Sequence, residues 1–221
     1  MNWYVDLAIA IPALILGAAA QGWVRRVVAE ADAVPTAAGL SALRVAQRLL
    51  VASGVHDVSI DSADEEFGDH YDAREKKIRL WDGGSSTVAA AAIAAHEVGH
   101  AVQDAEGATS FRLRTAVAPV AAVASVGWFV LTIVGMMFGL VGLVHLAVLL
   151  FAAVAAFHLA TLPVELGASR RAMALVRSGG LVTAEEERIV RRVLLAAALT
   201  YLTTALISIA QIVELLFVGE E

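Results

Sequence analysis

From Ala116 to Leu162 the chain runs 47 residues without one Lys, Arg, Asp or Glu. No other feature restricts the fold as sharply. A helix needs about 20 mostly apolar residues to cross a bilayer, so this run is too long for one crossing and suits two. The glycines of "GMMFGLVG", Gly135–Gly142, mark the break between them. Two further stretches are apolar enough to span, Trp3–Ala20 and roughly Leu194–Val218. With 59% hydrophobic and 17% charged residues, the chain is too apolar for an ordinary soluble domain. No Lys or Arg precedes the first stretch, which therefore reads as an uncleaved anchor rather than a signal peptide. Trp3, Tyr4 and Trp23 would sit near its two interfaces. The expected fold is a mainly α-helical polytopic membrane protein with four transmembrane helices.

The basic residues orient it. All 16 Lys and Arg fall in two stretches, ten from Arg25 to Arg114 and six from Arg170 to Arg192. Four spans put both stretches on one side, and the positive-inside rule makes that side the cytoplasm. Both termini would then lie outside. The expected organisation is an anchor (residues 1–24), a cytoplasmic region (25–115), two spans (116–162), a second cytoplasmic segment (163–193), and a fourth span with its tail (194–221). The net charge of −6 says little about partners, but no basic stripe is visible, so nucleic acid is not an expected partner. With no cysteines, disulfides and thiolate ligands are excluded.

The cytoplasmic parts show their own periods. Thr36–Val55 reads as an amphipathic helix with Leu43, Ala46 and Leu50 on its apolar side and Gly54 as C-cap. Val58 and Ile60, then Ile78 and Leu80, alternate with polar residues around a turn at Asp72–Lys76, which predicts a small antiparallel β-hairpin. Its second strand could offer an edge to an extended peptide. "DGGSST", Asp82–Thr87, supplies a turn and a Ser or Thr N-cap for the next helix. Thr183 with Glu186 makes a capping box for a helix that continues through Arg191 and Arg192 into the last span.

That helix after Thr87 carries "AAHEVGHAVQ", Ala94–Gln103. Residues four apart share a helix face, so His96 and His100 can aim at one ion while Glu97 reaches a water on it. Gly99 leaves room for close packing. The competing reading is a helix with two surface histidines. A zinc ion needs a third protein ligand. His56 reads as a solvated loop residue. His145 lies about 30 Å along its span from the cytoplasmic end, too far to share the ion. His158, inside the membrane edge, is expected to make an interhelical hydrogen bond. Glu165 is the better candidate: it is the only carboxylate between Glu106 and Glu185 and stands just past the span, where Pro163 permits a kink. Its alternative is an interfacial ion pair with Arg170 or Arg171.

Four segments also resemble, in order, the YugP-like family of bacterial membrane zinc metallopeptidases: "FGDHYDAREKKIRL" (Phe67–Leu80), "AIAAHEVGHAVQ" (Ala92–Gln103), "TLPVELGASRRA" (Thr161–Ala172) and "AAALTYL" (Ala196–Leu202). The resemblance covers nearly the whole chain. It implies a membrane-anchored zinc peptidase, gluzincin-like, with one Zn2+ per chain held by His96, His100 and Glu165 and with Glu97 as catalytic base. It also implies a small cytoplasmic α+β, zincin-like HExxH region. Family members commonly carry Asp or Asn where this chain has Gly167, so support for the ligands must come from elsewhere, Ser169 being one choice.

Such chemistry also needs a donor for the developing oxyanion. His70 or Tyr71 of "GDHYD" could serve, with Arg170 and Arg171 as alternatives; Asp69 and Asp72 read as turn formers. The implied partners are the lipid bilayer and a peptide or protein substrate, cleaved more as an endopeptidase than an exopeptidase would. A zinc-binding but non-proteolytic scaffold or regulator would have no need of Glu97. A transporter would place charges mid-span, whereas Asp6 and Glu214 lie near predicted outer ends.

Overall fold

The computed structural model describes residues 3–63 and 68–218. Six helices and three short strands follow in the order α1 (Trp3–Asp32), α2 (Ala42–Ala52), β1 (Ser59–Ser62), β2 (His70–Asp72), β3 (Lys77–Leu80), α3 (Val88–Ala105), α4 (Thr109–Phe138), α5 (Val141–Ser178) and α6 (Ala184–Val218). Phe67 lies outside the described residues, as do the side chains of Trp3, Tyr4, Asp6 and Glu214. The chain divides into two compact units.

One unit comprises residues 1–22, 113–162 and 199–221. Among the described residues, three helices are long and apolar enough to cross a membrane: α4, α5 and the Ala184–Ile209 part of α6. The uncharged run breaks between Phe138 and Val141, inside the glycine-rich stretch expected to divide it. α4 leaves Val120, Val123, Val126, Met136 and Met137 exposed, a surface suited to lipid rather than water. Trp128 packs on Phe151 with ring centroids 4.4 Å apart, joining α4 to α5. His158 departs from expectation. Among the described residues its buried Nδ1 has no hydrogen-bond partner, and its ring lies against Phe157.

The other unit comprises residues 23–112 and 163–198. α3 lies at its centre. An alanine-rich helix buried nearly all round can be approached from several sides, and 13 of its 18 residues are buried. Thr87 caps its start, its hydroxyl oxygen accepting from Ala90 N at 3.2 Å. α2 covers α3 with Ala42, Val45, Ala46, Leu49 and Leu50, while Leu43 is only half-buried. Its end is a Schellman turn: Gly54 takes φ +73°, Val55 N reaches Leu50 O, and Gly54 N reaches Val51 O. At the start of α6, Glu186 accepts from Thr183 N at 2.7 Å and Thr183 Oγ1 accepts from Glu186 N at 3.2 Å, the reciprocal pattern of a capping box. The second carboxylate oxygen of Glu186 accepts from Ala37 N at 2.6 Å, tying the α1–α2 loop to α6.

The sheet corrects the sequence reading. Its order is β1-β3-β2, with β1 parallel to β3 (Ile60 opposite Ile78) and β2 antiparallel to β3 (Tyr71 opposite Ile78). The hairpin therefore joins β2 to β3, not the Val58–Ile60 segment to β3. β2 is three polar or amphipathic residues, too short to show an alternation. Ile78 and Leu80 do face the core, at 0% and 2% exposure. Since β3 is paired on both sides, it has no edge to offer; the edges belong to β1 and β2.

Candidate metal centre

His96 and His100 both point into the protein, 8% and 5% exposed, so the reading of two surface histidines fails. Their rings meet edge to face, centroids 4.7 Å apart. Glu165 on α5 comes to the same place. Its Oε2 lies 3.0 Å from His96 Nε2 and 3.5 Å from His100 Nε2. One nitrogen of each histidine and one carboxylate oxygen of Glu165, the atoms that could ligate a metal, lie within 4.8 Å of one another. Bonds of about 2.05 Å to a tetrahedral zinc imply ligand atoms roughly 3.3 Å apart. Two imidazole nitrogens and one carboxylate oxygen at this spacing fit that ion as a donor set.

The second nitrogen of each imidazole is also engaged. His100 Nδ1 lies 3.0 Å from Gln103 Oε1. An amide oxygen only accepts, so Nδ1 carries the proton and Nε2 presents its lone pair toward Glu165. Gln103 in turn donates through Nε2 to Val164 O at 2.9 Å, one residue before Glu165. One side chain thus orients a histidine on α3 and grips the backbone of α5. His96 Nδ1 lies 3.3 Å from Ser169 Oγ.

Two glycines permit this approach. A Cβ on Gly99 would stand 2.4 Å from Ala168 O, so α3 and α5 meet there backbone to backbone. A Cβ on Gly167 would stand 2.5 Å from Gln103 Nε2. Gly167 therefore clears the space that Gln103 fills. Gln103 went unnoticed in the sequence, although its position three residues after His100 puts it on the same face.

Glu97 is 7% exposed, and among the described residues no donor hydrogen-bonds its carboxylate. Arg171 pairs with Glu106 and donates to Gly167 O, while Arg170 donates to Leu166 O at 3.2 Å. Glu165 instead faces the two histidines. Tyr71 donates its hydroxyl to Asp104 Oδ2 at 2.8 Å, and Lys76 Nζ reaches the same oxygen at 2.7 Å. Burial, and then the Asp104 carboxylate, push the Tyr71 phenol well above its usual range. Phe111 stands beside both rings, 6.2 Å from Tyr71 and 5.8 Å from His100. His70 Nδ1 lies 3.0 Å from Gly68 O and Nε2 lies 3.5 Å from Arg79. Among the described residues, neither His70 nor Tyr71 hydrogen-bonds to the three clustered side chains. Asp72 accepts from Arg74 N and Glu75 N and is the expected turn former, whereas Asp69 accepts from Trp81 N, twelve residues on, and ties the start of β2 to the end of β3. Exposed His56 sits in the loop before β1.

The sequence profile of a family described as "putative neutral zinc metallopeptidase" matches residues 6–220. The chain is 35% identical over 187 residues to the "Putative membrane protease YugP" of Bacillus subtilis (strain 168), covering 84% of this chain and 83% of that protein. No solved structure is similar to it. A buried two-histidine, one-glutamate cluster on a largely apolar helical chain agrees with these matches, and the chain belongs to this family of zinc metallopeptidases.

Proposed function

We propose that the protein is a zinc-dependent peptidase, anchored by four membrane spans, that hydrolyses peptide bonds at the cytoplasmic face. The observation that carries this reading is the convergence of His96, His100 and Glu165, 69 residues apart at the extremes, with Glu97 beside them. In this zincin-like arrangement the three side chains would hold one ion per chain. Bound there, zinc supplies Lewis-acid chemistry, acidifying a water and polarising the substrate carbonyl. Glu97 takes the proton as the water attacks and returns it to the leaving amine. Among the described residues no donor hydrogen-bonds its carboxylate, as a base in waiting requires. Gln103 and Ser169 keep the histidine Nε2 atoms aimed inward. His70 and Tyr71, on edge strand β2, are the assigned candidates for oxyanion donor; Tyr71 acts only by leaving Asp104. The edge of β2 is also where an extended substrate gains backbone hydrogen bonds, as an endopeptidase requires.

The test uses detergent-purified protein, with zinc content and cleavage of an unfolded protein measured on the same samples. Glu97→Gln is expected to keep zinc and fold while losing at least about 10²-fold in turnover. Glu165→Ala loses most of the zinc and, with it, cleavage, because one of only three protein ligands is gone. Turnover by Glu97→Gln equal to wild type sinks the mechanism.

A further inference from the structure

Within the same unit, a cavity of about 580 Å3 lies between the C-terminal part of α1, the β3–α3 loop and the first turns of α3. Its walls include Val24 and Val28 of α1 and Ala90 and Ile93 of α3. Ile93, the last wall residue on α3, precedes Glu97 by four residues, so the cavity ends one helical turn from the proposed base on the same face. Asp69, on the cavity wall, is close enough to Glu97 to feel its charge. Three carboxylates, Asp32, Asp69 and Asp82, border the cavity. Each is pinned by its Oδ1, to the Thr87 hydroxyl, Trp81 N and Ser85 N respectively. Among the described residues, each keeps Oδ2 out of these bonds. Trp81, 55% exposed, presents an aromatic surface at the same rim. The one basic residue there, Arg25, stands seven residues before Asp32 on α1, about 10 Å away along the axis.

We propose that this cavity is the substrate subsite for a lysine or arginine side chain near the scissile bond. The inference rests on the peptidase reading for its place in catalysis. Apolar walls suit the methylenes of a long basic side chain, whose charged head then reaches the carboxylates and the indole face. A purely aliphatic residue would leave that acidic rim unused, and an acidic residue would meet it with like charge.

Two measurements separate this inference from the reading beneath it. Quenched peptides differing at one position, Lys, Arg, Leu or Glu, are assayed for kcat/KM with wild type. The same peptides, unquenched and dye-labelled, are titrated by anisotropy onto Glu97→Gln protein, with zinc content and melting recorded for every variant. The Lys and Arg peptides are expected to exceed the Leu and Glu peptides by about 10-fold in both assays, the scale of one cation–π contact with partly exposed charge pairs. In Asp32→Asn/Asp82→Asn the Lys-to-Leu ratio falls well below the wild-type value, and in Asp82→Arg the preference shifts toward Glu. If wild type cleaves nothing while Lys peptides bind in this acid-dependent way, the peptidase reading fails and the basic subsite stands. If wild type cleaves but Leu peptides do as well as Lys peptides, or the ratios ignore folded Asp variants, the subsite is overturned. Occupancy by copurified lipid that basic peptides do not displace overturns it too.

Discussion

Gln103 and Gly167 act as one device. Removing the Gln103 amide frees His100 to rotate and releases Val164 O, while adding a methyl at Gly167 pushes the amide off both partners. Gln103→Ala is expected to weaken zinc binding by about 10–100-fold, the usual scale for losing an outer hydrogen bond to a ligand histidine. Gly167→Ala should weaken it comparably, although alanine favours the helix. The double variant should be no worse than either single one, since both remove the same contact. Competition with a chromophoric chelator measures all three; additive losses would show that Gly167 matters for something other than Gln103. At this scale the sequence was legible wherever spacing along one helix carries the chemistry. His96, Glu97 and His100 declare themselves four residues apart, and Glu165 stands out as a lone acid in an uncharged stretch. Gln103 did not, because a glutamine on an alanine-rich helix looks like solubility until the helix is seen to be buried. The clearance at Gly167 is a fact about two helices and cannot be read from either.

Helix α3 is positioned by contact at Gly99. Its amphipathic period is weak because alanine fills most faces, and this lets several elements lie against it. Gly99→Ala puts a methyl 2.4 Å from Ala168 O, a backbone atom that cannot swing away. The helices must part, at about 1–3 kcal/mol for an overpacked contact. Glu165 rides on α5 three residues before Ala168, so the same displacement spreads the ligands. Lower melting temperature together with weaker zinc binding is expected, with Gly22→Ala as control because nothing lies within 4 Å of its Cβ. A variant that melts lower but binds zinc as wild type would show that the contact does not set the ligand spacing. Elements with long or complete signals were readable: the break at Gly135–Gly142, the Thr183–Glu186 box, the Gly54 turn. The sheet was only half readable. Alternation placed Ile78 and Leu80 inward, but strand direction depends on what lies between strands, and β2, three residues with one aromatic, gave no period.

For the whole chain, the distribution of charge carries the expectation for the side on which the site faces. The two basic stretches lie at the two sequence segments that supply the proposed ligands: Arg25 to Arg114 contains His96 and His100, and Arg170 to Arg192 begins five residues after Glu165. Ligands that meet in one cluster must share a side, so an even number of crossings separates them, as two spans across residues 116–162 provide. The positive-inside rule then favours the cytoplasm for both. If the first and last apolar stretches also cross, the two ends of the chain face outward. The chain has no cysteine, so single cysteines report without background. Ser85→Cys, in the loop before α3, is expected to react with a membrane-impermeant maleimide only after cells are broken open. Glu221→Cys is expected to react in intact spheroplasts. Detergent-solubilised samples establish that each thiol is reactive, and retained zinc establishes that each variant is folded. Labelling of both from the same side would remove the fourth span from the assignment; Ser85→Cys reacting from outside would invert the enzyme and move its substrates out of the cytoplasm.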